Sequence, residues 1–435
     1  MREKPCVVLV LCLRCLTLKA TTEALRILFA MQKALLITTL GWMLSGGLYA
    51  QTLAPVATTP PMGWNSWNCF RENVSEDKIK AIADAMVASG MKDAGYEYIV
   101  IDDGWMTDRR DSAGHIIVNS AKFPSGMKAL GDYIHGLGLK FGIYSAPGRL
   151  TCQKLMGSYG HEQTDASDYA AWGVDYLKYD WCNYPGTPEQ AANTPAEDCQ
   201  RAYELMRDCL QNTGRPIVYS VHSTCSGERS KSFPWVTDVA HLHRSGDDIK
   251  DNWDRMLYCL ESTADLWPYA RPGFWNDPDM LEVGNTTQER LWGGIDSTKM
   301  TTLEYRTHFS MWCMVAAPLI AGNDLRTMKD SITQILTNPE IIAINQDSLA
   351  KQGRRVRDDG ELEVWVKELS GNRRAVALLN RSDQAADISF TGEEIGLTGK
   401  RRVRDVGGHR DLGYYEDAYT GKAVAAHDAL VLLVE

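Results

Sequence analysis

Short apolar segments alternate with amphipathic segments through most of the chain, and this alternation limits the fold more than any other feature. Eight apolar segments have the length and composition of strands, at 62–67, 96–103, 140–145, 174–180, 216–221, 239–245, 273–277 and 318–322. Segments between them repeat apolar residues at helical spacing, as in 75–91, 197–214 and 248–266. Eight strand–helix repeats over roughly 290 residues predict an α/β fold, a (β/α)8 TIM barrel over residues 55–352.

The pattern changes after residue 353. Apolar and polar residues alternate there without long helical stretches, in "ELEVWVKEL", "RRAVALLN", "AADISF" and "ALVLLV". Alternation with a period of two is typical of strands with one buried face. The sequence therefore predicts a small antiparallel β domain over residues 353–435.

The first 50 residues have the pattern of an export signal preceded by an extension. From Met31 the chain has a positive residue, Lys33, then an apolar core over 34–44 and small residues up to Ala50. The core is too short to cross a bilayer comfortably. We expect translation to start at Met31, cleavage after Ala50, and a secreted or periplasmic protein without stable membrane insertion. An uncleaved N-terminal anchor is the alternative.

Charge excludes some partners. The six basic and two acidic residues of 1–50 leave 40 basic and 54 acidic residues in the rest, a formal net charge of about −14. This balance argues against nucleic acid or an anionic membrane surface as a partner. Eight of the 11 cysteines follow residue 50, and no two of those eight form a Cys-x-x-Cys pair, which argues against a zinc ribbon or a thioredoxin-type site in the folded part of the chain.

Charged residues follow four of the predicted strands. The active site of a (β/α)8 barrel lies at the carboxyl ends of its strands. The charged residues there are Asp102 and Asp103, Lys178 and Asp180, Arg244 and Asp248, and Asp277 and Asp279. Each group by itself could be a turn or a helix cap. Four acidic strand ends on one rim would repel one another unless a cation, a shared proton or sugar hydroxyls used them.

Two chemistries compete for these acids. A nucleophilic carboxylate and a proton-donating one together hydrolyse glycosides. Alternatively, the acids could hold one or two divalent metals with His222, His241 and His243. Tryptophans favour the sugar chemistry because an indole is a flat platform for a sugar ring. Five lie at predicted strand ends, namely Trp64, Trp67, Trp105, Trp181 and Trp275.

Longer motifs resemble a known family. They are "TPPMGWNSWNCF", "YIVIDDGW", "GIYSAPGRLTC", "YLKYDWC", "RPGFWNDPDMLEVGN" and "AAPLIAGNDL…AINQD". They are similar to glycoside hydrolase family 27 of clan D, the α-galactosidases and α-N-acetylgalactosaminidases, from about Thr59 to Gln352. The resemblance implies a retaining mechanism on a (β/α)8 barrel that is followed by a small antiparallel β-sandwich domain. It also implies a galactose-containing oligosaccharide as substrate, and no metal or organic cofactor. A non-catalytic sugar-binding barrel is the alternative outside enzymes.

The resemblance also assigns roles to residues. It implies that Asp180 is the nucleophile and that Asp248 is the acid/base, with Asp247 as a close rival. Lys178 would steady the Asp180 charge, since a nearby ammonium lowers a carboxyl pKa. The other residues it implies at the sugar are Trp67, Asp102, Asp103, Tyr144, Cys152, Arg244, Asp279 and Met280. It further implies a Cys152–Cys182 disulfide beside the site.

One position departs from the family pattern. Where the family has Cys-Glu-Trp, whose acid binds the sugar 2-hydroxyl, this chain has Val221-His222-Ser223. A neutral imidazole can donate and accept a hydrogen bond, so His222 can serve a 2-hydroxyl. We expect galactose rather than N-acetylgalactosamine in the site. The alternatives within the family are an α-N-acetylgalactosaminidase and a β-L-arabinopyranosidase.

Overall fold

The computed structural model describes residues 56–185, 196–222, 235–285 and 299–435, and within them eight parallel strands form the predicted barrel. An additional hairpin, β3 (Met106–Arg110) and β4 (Ile116–Val118), follows the second strand and was missed by the strand pattern. The barrel strands are β1 (Met62–Asn65), β2 (Tyr98–Ile101), β5 (Lys140–Ser145), β6 (Tyr176–Tyr179), β7 (Val218–His222), β8 (Leu242–Arg244), β9 (Trp275–Asp277) and β10 (Leu319–Ala321). The prediction for residues 1–50 concerns a segment outside the described residues.

The barrel closes through the residues that follow β9. Strand β1 pairs in parallel with both β2 and β10, so the first strand lies inside the sheet. Leu281 joins the two remaining edges. Its N–H donates to the Ile320 carbonyl at 2.8 Å, and its own carbonyl accepts from the Gly322 N–H at 3.0 Å. The carboxyl ends of all eight strands therefore meet on one rim.

Helices cover the outside of the barrel. Capping residues fix the first turn of several helices. Ser75 and Asn252 accept hydrogen bonds as N-caps, and Thr301 forms a capping box with Glu304. Such caps stabilise a helix by about 1 kcal/mol each. The helices are α1 (Trp67–Phe70), α2 (Glu76–Ala88), α3 (Gly126–Gly136), α4 (Glu162–Trp172), α5 (Ala196–Asn212), α6 (Trp253–Ala264), α7 (Thr302–Met314), α8 (Asp330–Leu336) and α9 (Pro339–Asn345). Among the described residues, no helix combines the length and apolar character that a membrane span requires.

The tryptophan argument for a sugar platform was largely wrong. Trp64, Trp105 and Trp275 are fully buried and Trp181 is 5% exposed. The first two and Trp181 pack in the layer between strands and helices, where Trp105 meets Trp172 edge to face at 5.6 Å. Trp275 is instead in register with the interior residue Leu242 and packs against Ala316 and Ala350. Side chains on a barrel strand alternate between the interior and this outer layer. A tryptophan near a strand end is thus as easily a core residue as a rim residue, and of the five only Trp67 is partly exposed.

The C-terminal segment forms two antiparallel sheets, as the family resemblance implied. A six-stranded sheet has the order β11-β12-β13-β18-β15-β16, and β14 pairs with β17. The four predicted segments are strands β12, β13, β14 and β18, whereas the other four strands were missed. The bounds are β11 (Arg354–Asp358), β12 (Leu362–Leu369), β13 (Arg373–Asn380), β14 (Ala386–Thr391), β15 (Arg401–Asp405), β16 (Arg410–Tyr415), β17 (Ala418–Val424) and β18 (Ala429–Val434).

The two faces of the six-stranded sheet bury different partners. Along β12, Trp365 belongs to the same apolar cluster as the barrel helices, whereas Val364 and Val366 pack with Ile388 and Phe390 of β14. This alternation follows from the two-residue period of a strand. The sheet is therefore apolar on both faces and joins the barrel to the outer two-stranded sheet of β14 and β17.

Candidate active site

The two acids after β2 have different partners although they are adjacent. Asp102 Oδ2 accepts hydrogen bonds from Asn65 Nδ2 at 2.8 Å and from Lys178 Nζ at 2.7 Å. Asp103 accepts from Thr151 Oγ1 and the Gln153 N–H, both at 3.0 Å. Burial raises the pKa of Asp103 to about 7. Asp102 thus carries the charge that pairs with lysine, while the Asp103 carboxyl gains a proton below about pH 7.

Lys178 lies between the acids of two strands. Its ammonium donates to Asp102, 76 residues earlier in the chain, and is 5.4 Å from the Tyr144 ring centroid. Burial lowers the pKa of Lys178, but the carboxylates of Asp102 and Asp180 outweigh burial and bring the pKa above its usual value. The ammonium therefore stays charged beside Asp180, as the family resemblance implied.

The Asp180 carboxylate is fixed by hydrogen bonds on both oxygens. Oδ1 accepts from the Trp181 N–H at 2.8 Å, and Oδ2 accepts from the Tyr144 hydroxyl at 3.0 Å. The backbone N–H of Asp180 donates to the Ser145 carbonyl at 3.0 Å, which ties the residue to the end of β5. One oriented carboxylate at the strand end is the geometry that nucleophilic attack requires.

The electrostatic surroundings keep Asp180 ionised. Burial raises its pKa, but three basic neighbours outweigh burial and bring the pKa below its usual value, namely His222, Lys178 and Arg244. His222 Nδ1 lies 3.7 Å from Asp180 Oδ1. Burial, together with the Arg244 charge, lowers the pKa of His222 to about 4, so this imidazole is neutral near pH 7. The lysine and the arginine then supply the stabilising positive charge.

Cys152 and Cys182 form a disulfide beside Asp180, with their Cα atoms 5.2 Å apart. Cys152 Sγ is 3.9 Å from Asp180 Oδ2, and Cys182 Sγ is 3.5 Å from the Tyr144 hydroxyl. Among the described residues these two sulfurs and Asp180 form the one group close enough together to hold a metal. Disulfide sulfurs are not thiolates, and metal binding needs the thiolate, so this trio is not a metal centre.

The histidine pair on β8 does not reach the rim. Leu242 packs in the barrel interior with Tyr98, Val100 and Tyr176. His241 and His243 flank Leu242 and therefore point to the outer face of the strand. There His241 Nδ1 accepts a hydrogen bond from the Tyr219 N–H at 2.9 Å. The metal alternative counted these two imidazoles as ligands, and the described geometry places them away from the acids.

Arg244 at the end of β8 is shared between two carboxylates. Its Nη2 contacts Asp248 Oδ1 and lies 3.4 Å from Asp279 Oδ2. The Arg244 charge brings the pKa of Asp248 well below its usual value, against a smaller opposing effect of burial. The arginine side chain is buried, whereas that of Asp248 is 49% exposed. A second carboxylate within reach gives the guanidinium an alternative partner.

Asp279 has a strained backbone. Its φ of +100° lies in the region that favours glycine. Asp277 Oδ1 accepts from the Asp279 N–H at 2.9 Å, and the Asp279 carboxylate accepts from the N–H groups of Ile249 and Met280, both at 2.8 Å. A strained backbone conformation that several hydrogen bonds hold in place is typical of functional sites. The turn aims the Asp279 carboxylate at Arg244.

The structure separates Asp247 from Asp248. The Asp247 carboxylate accepts from the Tyr258 hydroxyl at 3.0 Å and lies 3.9 Å from Arg255 Nη2, so it faces helix α6. Asp248 instead faces Arg244. Adjacent side chains point in different directions here, and the spacing from Arg244 selects the residue that turns toward the rim.

A single cavity joins six of the predicted residues. Its walls include Lys178, Asp180, His222, Arg244, Asp279 and Met280. Tyr144, Asp102 and the disulfide adjoin it through the bonds described above. Trp67 lies at the rim, where the Arg71 guanidinium is 4.9 Å from its ring centroid. Ser223 lies outside the described residues.

Sequence reasoning missed the residues that hold the acids. Asn65, at the end of β1, donates to Asp102, and Thr151 and Gln153, in the loop after β5, bind Asp103. The position of Asn65 at a strand end was a usable signal, because carboxyl ends share one rim. Nothing in the local sequence distinguishes Thr151 or Gln153 from ordinary loop residues.

Comparison with known proteins agrees with this geometry. The profile of the family described as "Alpha galactosidase A" matches residues 59–347, and that of the "Alpha galactosidase C-terminal beta sandwich domain" matches residues 359–434. The chain belongs to the α-galactosidase A family. Among family relatives, it is 46% identical to "Alpha-galactosidase 2" of Arabidopsis thaliana over 82% of this chain and 83% of that one. It is also 46% identical to "Alpha-galactosidase A" of Cellvibrio japonicus, over 78% and 80% of the two chains.

A solved structure of the family has a similar fold. The α-galactosidase of Saccharomyces cerevisiae with raffinose is 28% identical, with a TM-score of 0.77 over 87% of this chain and 98% of that one. Because both domains of this chain match family profiles in chain order, the family assignment covers the barrel and the β-sandwich alike.

Proposed function

We propose that the protein is a retaining, exo-acting α-galactosidase that releases terminal α-linked D-galactose from oligosaccharides or glycoconjugates. The observation that carries this proposal is the pair formed by a fixed, partly buried carboxylate, Asp180, and a more exposed one, Asp248, both under the influence of Arg244. Two carboxylates in different environments are what a retaining glycosidase uses. The names of the curated relatives support the sugar.

In the first step Asp180 attacks the anomeric carbon of the bound galactoside. The bond from that carbon to the leaving oxygen breaks as the bond to the Asp180 carboxylate forms, and Asp248 gives its proton to the leaving oxygen. Tyr144 and the Trp181 N–H hold the attacking carboxylate in one orientation. The products of this step are the aglycone and a galactosyl ester of Asp180.

In the second step a water molecule displaces Asp180 from the anomeric carbon. Asp248, now ionised, removes a proton from a water molecule, whose oxygen attacks the anomeric carbon. The ester bond to Asp180 breaks and restores its carboxylate, while the proton taken from water leaves Asp248 protonated for the next turnover. Two inversions give net retention, which requires the two carboxyl groups to lie about 5–5.5 Å apart.

Asp248 must be protonated to act as the acid, but its surroundings in the free enzyme favour the ionised carboxylate. The Arg244 contact keeps Asp248 ionised before substrate binds. In the substrate complex Arg244 pairs with Asp279 instead, which lies 3.4 Å away. The pKa of Asp248 rises when Arg244 no longer pairs with it and the bound sugar excludes solvent from it. Arginine exchange thus couples sugar binding to protonation of the acid.

The remaining predicted residues grip the sugar. Asp102 and Asp103 accept hydrogen bonds from the 4- and 6-hydroxyls, and Lys178 donates to a hydroxyl while it stabilises Asp180. The other residues of the pocket are Trp67, Tyr144, Arg244, Asp279, Met280 and the Cys152–Cys182 disulfide. A buried Asp103 with a pKa of about 7 can donate as well as accept, which suits a hydroxyl that does both.

His222 favours galactose over N-acetylgalactosamine. Its side chain is 12% exposed and fills the space beside Asp180, where an acetamido group at the 2-position would need room. We expect a higher kcat/KM on nitrophenyl α-galactoside than on the corresponding N-acetylgalactosaminide. His222→Ala should narrow this difference, and faster turnover of the N-acetylated sugar by the unmodified protein would reject the assignment.

The activity itself is tested with nitrophenyl glycosides and proton NMR. Hydrolysis of the α-galactoside with the α-anomer as the first product is the expected result. A β-anomer as the first product contradicts retention, and preference for the β-L-arabinopyranoside would reassign the sugar. Unchanged activity in chelator excludes the metal alternative, whereas loss with recovery on added zinc would support it.

Export completes the proposal. The pattern over 31–50 supports a cleaved signal peptide, and the mature chain then begins at Gln51 in a secreted or periplasmic protein. N-terminal sequencing of the protein from its native host tests this. A mature N-terminus before Gln51 would contradict it.

A further inference from the structure

A second cleft lies where the barrel meets the C-terminal sheet. It has a volume of about 320 Å³, within the size range of small-molecule sites. The barrel contributes Trp267 and Pro268 to its wall, and the sheet domain contributes Arg354, Val366 and Glu393. None of these residues takes part in the active site described above.

The cleft lies at the opposite end of the barrel from Asp180. Helix α6 starts after the rim residue Asp248 and runs back along the barrel, so the residues that follow its end at Ala264 lie near the amino ends of the strands. Trp275, which starts β9 at that end, donates to the carbonyl of Ala57, before the start of β1. A ligand in the cleft therefore cannot be the galactosyl group that is cleaved at Asp180.

Trp267 distinguishes this cleft from a packing defect. Its side chain is 44% exposed, the most exposed of the tryptophans in the described residues. The Arg354 guanidinium lies 5.8 Å from its ring centroid and holds one side of the indole. Most tryptophans of the barrel are buried, so an exposed indole in a cleft is a candidate platform for a ligand with an apolar face.

The charges around the cleft are balanced and mostly fixed. Three cations and three acids line it, namely Lys351, Arg354, Arg374, Glu368, Glu393 and Glu394. Lys351 pairs with Glu368 at 2.6 Å. The Arg374 guanidinium donates to the Ile395 carbonyl at 3.0 Å. Balanced charge does not favour an anionic or cationic ligand, whereas fixed donors and acceptors around an indole suit a neutral ring with many hydroxyls.

We propose that this cleft is a second, non-catalytic binding site for the neutral polysaccharide that carries the α-galactosyl groups. The identity of the polysaccharide rests on the proposed function. A pyranose of the polymer stacks on Trp267, and its hydroxyls meet Arg354 and Glu393. A second attachment point raises the local concentration of galactosyl ends at the active site for a polymer, but not for a small glycoside.

Affinity electrophoresis in gels containing galactomannan tests binding without turnover. The probe proteins carry Asp180→Asn, so that the polymer is not trimmed during the run. We expect the single variant to be retarded by galactomannan and the double variant with Trp267→Ala to be retarded less. Tyr414→Ala is the matched control, since that aromatic is 67% exposed on the edge strand β16, away from the cleft. Equal retardation with and without Trp267 overturns the proposal.

Kinetics give a second, independent readout. In the otherwise unmodified enzyme, Trp267→Ala should raise KM on galactomannan by about tenfold with kcat unchanged, because one of two attachment points is lost. Both constants should stay unchanged on nitrophenyl α-galactoside. Arg354→Ser, which leaves the indole in place, should raise the same KM by a smaller factor and guards against a Trp267 variant that folds poorly.

The outcomes separate the two proposals. Equal KM values on galactomannan for Trp267→Ala and the unmodified enzyme overturn the cleft proposal even if α-galactosidase activity is high. No hydrolysis of nitrophenyl α-galactoside by the unmodified enzyme rejects the proposed function, and the retardation of the Asp180→Asn protein then still decides whether the cleft binds polysaccharide.

Discussion

On the β2–β6 side of the rim each carboxylate has its own partners, whereas on the β8–β9 side two carboxylates share one arginine. Asp180 is held by Tyr144 and a backbone N–H, and Lys178 pairs with Asp102. Asp248 and Asp279 both lie beside Arg244. We call the first group the nucleophile side and the second the acid/base side.

The difference corresponds to what each side must do. A nucleophile should stay ionised and oriented, so fixed bonds and a permanent cation serve it. An acid/base must take up and release a proton within one turnover, and a fixed ion pair would hold it in one state. A buried arginine with two possible partners allows that change. The comparison predicts that the two sides respond differently to the same type of substitution.

The largest effect is expected at the nucleophile. Asp180→Asn removes the attacking charge and leaves the shape of the site, so kcat on every α-galactoside should fall by about 10⁴-fold or more. The control is Asp132→Asn, an exposed acid paired with Lys128 on the surface, which should keep full activity. Substantial turnover by the Asp180 variant would assign the nucleophile elsewhere.

The acid/base side should show an effect that depends on the leaving group. Asp248→Asn should lower kcat/KM by about 10²–10³-fold on oligosaccharides, whose leaving oxygen needs a proton, and by much less on aryl glycosides with acidic phenols. Asp247→Asn is the matched control and should have little effect on either, because its carboxylate faces Tyr258. If Asp247→Asn gives the leaving-group profile instead, the two roles are exchanged.

Lys178→Met tests the fixed charge of the nucleophile side. Without the ammonium the pKa of Asp180 rises, so the acid limb of the pH profile of kcat/KM should move to higher pH. The sign follows because the carboxylate must be ionised to attack, and a higher pKa protonates it at a higher pH. Lys128→Met on the surface should leave the limb in place. If the acid limb of Lys178→Met stays at the same pH, Arg244 alone keeps Asp180 ionised.

The smallest effect on chemistry is expected from the disulfide. Cys152 and Cys182 are 30 residues apart, and a loop of that length gives a stabilisation of about 3.6 kcal/mol. Replacing both by serine should lower the melting temperature clearly but reduce kcat only a few-fold, since Tyr144 and Trp181 still hold Asp180. A loss of activity as large as that of Asp180→Asn would show that the sulfurs orient the nucleophile directly.

Much of the fold followed from local patterns. All eight barrel strands were found, because a buried parallel strand is a short apolar run that ends at a polar rim. Four strands of the C-terminal domain were missed. Two of them, β11 and β16, are edge strands with polar sequences such as "RRVRD" and "RDLGYY". Strands with little buried surface have little apolar pattern, so periodicity does not reveal them.

The site was predicted unevenly for a related reason. The residue types at the strand ends were visible in the sequence, and the family motifs assigned them roles. The sequence did not show which side chain contacts each acid, because the partners come from different strands. Lys178 on β6 reaches Asp102 after β2, across the intervening strand β5, and Arg244 on β8 reaches Asp279 after the neighbouring strand β9. The tryptophans and the His241–His243 pair were misjudged because a strand end has two faces.

By itself, the sequence determined the order of strands and helices, the change to β structure after residue 353, and the chemical groups available at the rim. These depend on local apolar periodicity and on which residues follow each strand. Only the tertiary structure decided that Trp105 and Trp275 are core, that Asp247 faces α6 while Asp248 faces Arg244, and that Trp267 stands exposed in a cleft between domains. Those outcomes depend on barrel closure and domain packing, which bring together residues far apart in the chain and set the face that each side chain presents.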